Sequence, residues 1–189
     1  MSLPLRITAS SSVLVVIDVQ EKLLAKMPLG AELVRTTCFL LDVANLLNVT
    51  VLATEQYPKG LGSTTPEIAK RLSTPPPTKT TFSCFGSAAF RDQLRETGCK
   101  VVILTGMETH VCVLQTALDL LAEGLTVYLC VDALASRNPQ DSATALQQIT
   151  NAGAVPTTAE TVVFEWLRDA AHPQFKAISK LVIERATPT

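Results

Sequence analysis

The sequence predicts a three-layer α/β protein, a mostly parallel sheet with helices on both faces. Short apolar runs rich in β-branched residues recur at 12–18, 51–54, 101–104, 126–131 and 154–155, too short for helices and suited to buried strands. Between them lie longer stretches of helical period. Such alternation brings successive strands parallel through right-handed crossovers. No internal repeat is present, and 189 residues suit one domain spanning 1–189.

Composition narrows the function. Hydrophobic residues make up 47% and charged ones 17%, the balance of a chain with a substantial core. A formal net charge of −1 offers no bulk attraction to nucleic acid or anionic membranes. No apolar run reaches the length of a membrane span, and residues 1–12 lack a basic-then-apolar leader pattern. No nucleic-acid partner and no membrane are therefore expected. Cys38, Cys84, Cys99, Cys112 and Cys130 form an odd set without CxxC spacing, which suits free thiols in the cytoplasm or another reducing compartment. Only His110 and His172 are available as imidazole ligands, so no metal is expected. No GxGxxG follows the first strand and no GxxxxGK[ST] occurs, so no cofactor is expected either.

The first strand ends on Asp18, which falls at the C-terminal edge where open parallel sheets build their sites. Gln20 follows on the same loop; by position alone Asp18 serves equally as a cap. A helix is expected over 31–48. The second strand runs into Glu55-Gln56-Tyr57, then a loop over 58–62 and a helix over 66–72. Three prolines in 73–78 make a stiff extended segment that delivers Lys79, which taken alone reads equally as a solvated charge. Phe82 and Phe85 follow, as core or as pocket wall. Gly86-Ser87 caps a helix over 88–97, closed by Gly98.

The stretch 100–124 changes period at its centre. After strand 101–104 and Thr105-Gly106, the residues Val113, Leu114, Ala117, Leu118 and Leu121 share one helical face, which Gly124 ends. Thr109 as N-cap places Cys112 in the first turn, where free N–H groups and the helix dipole favour the thiolate. Beyond strand 126–131 and Asp132, Asn138-Pro139 opens a helix that runs to Asn151. Helices are expected over 161–167 and 173–183, with His172 as a cap.

Four segments in this order, IDVQ with Asp18, KTTFSCF with Lys79, GMETHVCVLQTALD with Cys112 and VDALASR at 131–137, resemble the isochorismatase-like cysteine hydrolases. TEQYPKGLG at 54–62 is most similar to the isochorismatase-domain-containing branch. The resemblance covers nearly the whole chain. It implies a six-stranded Rossmann-like parallel sheet, an Asp18–Lys79–Cys112 triad, and a cis peptide at Met107-Glu108. It also implies an oxyanion hole from the N–H groups of Glu108 and Cys112, and a homo-oligomer. The implied chemistry is hydrolysis of a C–N bond in a small amide or carbamoyl compound through a Cys112 thioester. Gln20, Gln56, Tyr57, Phe82, Phe85 and His110 are the pocket candidates by position.

Relatives that bind zinc carry an aspartate and histidines after the second strand. Glu55-Gln56-Tyr57 stands there instead, which argues against zinc and against nicotinamide as substrate. Vinyl-ether hydrolysis of isochorismate needs no cysteine, so Cys112 argues against that reaction as well. Three other readings compete: a silent scaffold that keeps the fold, a Cys84–Cys112 redox pair, and a nuclease, which finds no basic surplus or paired histidines to support it.

Overall fold

The computed structural model describes residues 5–186, so the reading of a leader over residues 1–12 falls partly outside it. Among the described residues six strands are present: β1 Ser12–Ile17, β2 Thr50–Gln56, β3 Thr78–Lys79, β4 Val101–Met107, β5 Thr126–Ala135 and β6 Val155–Thr157. They form one sheet of order β3-β2-β1-β4-β5-β6, and every neighbouring pair is parallel. The predicted fold class is the observed one.

β1 and β4 sit at the centre and are buried along their whole length, which is why both read as continuous apolar runs. Their side chains still alternate with period two. Val13, Val15 and Ile17 pack with Phe90, Leu94 and Leu120 on one face. Leu14 and Val16 join Leu33, Leu40 and Trp166 on the other. Helices Gly30–Leu47, Ala159–Leu167 and Phe175–Ala186 cover the second layer; Ala88–Thr97, Leu114–Ala122 and Pro139–Asn151 cover the first.

Parallel pairing brings the C-terminal ends of the strands to one edge. Asp18, Gln56, Lys79 and Glu108 stand there at or just past β1, β2, β3 and β4. The chain winds outward from β1 to β2 and β3 on one side and to β4, β5 and β6 on the other. The crevice at that reversal is where such sheets hold ligands.

Several boundaries differ from those predicted. β2 extends to Gln56 because Glu55 and Gln56 pair with Thr78 and Lys79. β3 itself carries no periodic signal, being a two-residue edge strand behind three prolines. β5 passes through Asp132 to Ala135, with a register shift opposite Thr105. Asp132 is tolerated inside it because its carboxylate accepts the Ala159 N–H and Arg185. The loop predicted at 58–62 contains a single helical turn, Pro58–Leu61. The helix predicted from Thr109 opens as a π-helical turn, Thr109–Val113, before Leu114–Ala122 becomes regular. Among the described residues no helix is long and apolar enough to cross a membrane.

Gly106 fixes how closely β4 approaches β1. Its φ is +117°, it is in register with Ile17, and an added Cβ would lie 2.1 Å from the Ile17 carbonyl oxygen. Gly124 also has positive φ, +77°, but open space around it. Gly106→Ala should therefore cost at least about 2 kcal/mol in urea unfolding, and Gly124→Ala only about 1 kcal/mol. Equal losses would contradict the close approach.

Candidate active site

Asp18 is fully buried and adopts a left-handed φ of +53° directly after β1. Its N–H donates to the Thr54 carbonyl at 3.1 Å, which holds the turn against β2. Both carboxylate oxygens receive a donor. Lys79 Nζ donates to Oδ2 at 2.6 Å, and Thr54 Oγ1 donates to Oδ1 at 2.8 Å. Nζ also donates to Gln56 Oε1 at 2.7 Å and to the Phe82 carbonyl at 2.9 Å, with the Thr81 carbonyl farther off at 3.3 Å. An ammonium has three protons. Asp18, Gln56, Phe82 and, more weakly, Thr81 share them.

Cys112 lies in the π-helical turn that follows β4, buried, and close enough to Asp18 and Lys79 for both charges to act on its thiol. The fold thus gathers Asp18, Lys79 and Cys112 from three distant segments. The Met107–Glu108 peptide that leads into the turn is cis. The Glu108 carboxylate accepts the Arg137 Nε–H at 3.0 Å and the Arg137 N–H at 3.1 Å, which anchors that peptide unit to the end of β5.

The electrostatics correct one expectation. Burial pushes the Cys112 thiol well above its ordinary range; the Asp18 charge pushes the same way and outweighs the opposing pull of Lys79. Thr109 does not cap the turn, which is π-helical and carries no side-chain cap. A sulfur buried beside a carboxylate favours the neutral thiol. For Lys79, burial works downward, but Asp18 and the nearby Cys84 and Cys112 sulfurs outweigh it and hold the ammonium above its ordinary value. Cys84, fully buried, is pushed up to about 11 by burial and then by Asp18.

The pocket candidates separate. Gln20 is fully buried and pins the edge: its Nε2 donates to the carbonyls of Gln56 and Gly62, and its Oε1 accepts the Gln56 N–H. Gln56 spends its own amide on Lys79 and on the Thr80 carbonyl. Both are supports beneath the site. Tyr57 and Phe82 are exposed. Phe85 turns away to meet Phe90 edge-on, ring centroids 6.4 Å apart. His110 is half-buried, with Nδ1 3.0 Å from Ser136 Oγ. A cleft of ≈ 520 Å³ opens beside Lys79, lined by Tyr57, Lys59, Thr80, Thr81 and Ser87; Asp18 and Cys112 do not line it. Thr54, Thr116 and Arg137 are contacts that sequence reasoning missed; Cys84, read there as a redox partner of Cys112, contacts Thr54 at 3.4 Å. Among the described residues no group of three His, Cys, Asp or Glu side chains could hold a metal ion.

A parallel α/β sheet with a buried Asp–Lys pair and a cysteine at its C-terminal edge defines an isochorismatase-fold protein. The sequence model of the isochorismatase domain matches residues 12–161, and the chain belongs to that family. Isochorismatase domain-containing protein 2A of Mus musculus is 41% identical over 179 residues, covering 95% of this chain and 86% of that one. Isochorismatase domain-containing protein 2 of Homo sapiens is 40% identical over 185 residues, covering 96% and 87%. Among solved structures, the MAR1 ribonuclease of Caenorhabditis elegans is 40% identical with a TM-score of 0.90, covering 98% of this chain and 96% of that one.

The raised thiols carry a sign. Cys84, Cys112 and Cys130 keep their protons in the folded state at a pH where the unfolded chain loses them, and Lys79 acts in the same sense. The folded state then binds more protons. Its stability should be full below the ordinary thiol value of 9.0 and fall as pH rises through about 11, the Cys84 value. Urea unfolding should show a smaller free energy at pH 10.5 than at pH 8; equal values would contradict the buried neutral thiols.

Proposed function

We propose that the protein is a cysteine hydrolase that cleaves a C–N bond in a small amide or carbamoyl-type substrate. The observation that carries this reading is a buried Asp18–Lys79 pair whose charges act on the buried Cys112 thiol at the C-terminal edge of the sheet. The neutral thiol gives its proton to Asp18 as the sulfur attacks the carbonyl carbon. The N–H groups of Glu108 and Cys112 receive the tetrahedral oxyanion, each such donor being worth about 3 kcal/mol of barrier. The C–N bond then breaks, and Asp18 returns the proton to the leaving nitrogen. Water, deprotonated by Asp18, adds to the thioester and expels the sulfur, which regains its proton. Lys79, its protons already committed, serves as a fixed charge that keeps Asp18 oriented.

The cleft beside Tyr57 and Lys59 is the space available for the part of the substrate that does not react. The homo-oligomer belongs to the same proposal, since exposed Leu29, Tyr57 and Phe82 offer apolar surface that a second copy would cover. Ribonuclease activity is named for the worm neighbour. It fits this site less well, because a buried carboxylate–ammonium pair and a net charge of −1 present nothing to a phosphodiester backbone.

An ammonia-release screen across small amides, carbamoyl compounds and ureido acids, with an RNA arm, tests the proposal. Turnover is expected in one of the three small-molecule classes. Cys112→Ala and Asp18→Asn should each lower it at least about 1,000-fold. Turnover that persists in Cys112→Ala would sink the mechanism. Silence in every small-molecule arm would favour the scaffold reading, and RNA cleavage lost in Cys112→Ala would favour the nuclease.

A further inference from the structure

We propose that Thr54 and Cys84 are positioning residues that hold the Asp18 carboxylate ready to accept the Cys112 proton, an inference that rests on the hydrolase reading above. Both are buried, Thr54 at 1% exposure and Cys84 at 0%. Neither touches the reacting atoms.

The direction of each hydrogen bond follows from counting protons. A threonine hydroxyl has one. Thr54 gives its proton to Asp18 Oδ1 at 2.8 Å, since a carboxylate can only accept. The contact between Thr54 Oγ1 and Cys84 Sγ, 3.4 Å, must then run from the S–H to the hydroxyl oxygen. Thr116 settles the other side in the same way. Its proton goes to the Cys112 carbonyl at 2.6 Å, and its oxygen accepts the Cys84 N–H at 2.9 Å. Both hydroxyls beside Cys84 therefore spend their protons elsewhere. Burial and the Asp18 charge push that thiol up to about 11, so it keeps the proton it donates.

A one-way chain results, from Cys84 S–H to Thr54 O–H to Asp18. Lys79 occupies the other carboxylate oxygen. The titratable groups that face Asp18 are Lys79 from β3, Cys84 from the short turn Cys84–Gly86 and Cys112 from the π-helical turn. With two donors fixed by the fold, the carboxylate is held in place with capacity left to take the Cys112 proton. Cys84 has its own hydrogen engaged in this support, which assigns it a role other than second nucleophile or disulfide partner.

The test is the rate of Cys112 alkylation by iodoacetamide between pH 7 and 9, where the fold is intact and the rate follows the thiolate fraction, read by peptide mass, in Thr54→Val, Thr54→Ser, Cys84→Ala and Cys84→Ser. Loss of a donor leaves more of the Asp18 negative charge unshielded beside the Cys112 sulfur, so the thiol gives up its proton at higher pH. Thr54→Val should move the profile up by about one pH unit, the scale of one hydrogen bond to a charged group. Thr54→Ser should restore it. Cys84→Ala should move it up by less, and Cys84→Ser should restore that. A Thr54→Val profile that superposes on the parent, or a Thr54→Ser profile displaced as far as that of Thr54→Val, would overturn the proposal. Should Thr54→Val fail to fold, the Cys84 pair decides: equal profiles for Cys84→Ala and Cys84→Ser would overturn it. The readout needs no turnover, so it stands apart from the substrate screen. Turnover in Cys112→Ala would refute the hydrolase reading whatever these profiles show.

Discussion

The ion pair between Asp18 and Lys79 is the constraint on which the rest of the site depends. Both side chains are almost completely removed from water. Two charges in that position cost several kcal/mol each to desolvate, and only close pairing with further hydrogen bonds offsets the loss. The structure supplies those bonds from backbone and side chain alike. Thr54 serves the carboxylate, while Gln56 and the Phe82 carbonyl serve the ammonium. Gln20 holds Gln56 in turn. The C-terminal edge of the sheet is built around two charges that have nowhere else to go.

One short segment is tied to all three members of the cluster, to Lys79 directly and to Asp18 and Cys112 each through a threonine. The carbonyls of Thr81 and Phe82 accept from Lys79. Cys84 reaches Asp18 through Thr54 and the Cys112 carbonyl through Thr116. Ser83 adds a bond of 2.5 Å to Asp119 on the helix that follows Cys112. Residues 81–84 thus lock β1, β2, β3 and the nucleophile turn into one unit. They also explain how a lysine on a two-residue edge strand is held rigidly enough to face a buried carboxylate.

The parts of this that could be read from sequence are those with local signals. Asn138-Pro139 and Ser87 cap the helices they were expected to cap, because capping needs only neighbours in the chain. Asp18, Lys79 and Cys112 stood out as polar residues at the ends of apolar or stiff segments. Their supports did not. A threonine inside a buried strand reads as a strand former, and Thr54 meets Asp18 and Cys84 across 36 and 30 residues of chain. The π-helical turn was hidden because the helical face it leads into has the ordinary period. The thiolate expectation failed for a related reason. It used the helix dipole, a local effect, and gave no weight to burial or to the charge of the Asp18 carboxylate beside the sulfur.

The central claim is that Cys112 rests as a neutral thiol beside a charged Asp18 and loses its proton only as the sulfur attacks. The S–H stretching region of the infrared spectrum tests it directly, compared between the parent protein and Cys112→Ser near neutral pH. The account predicts one S–H band in the parent that disappears in the variant, with the other thiol bands unchanged. Identical spectra in that region would mean that Cys112 carries no proton at rest, and would contradict the account.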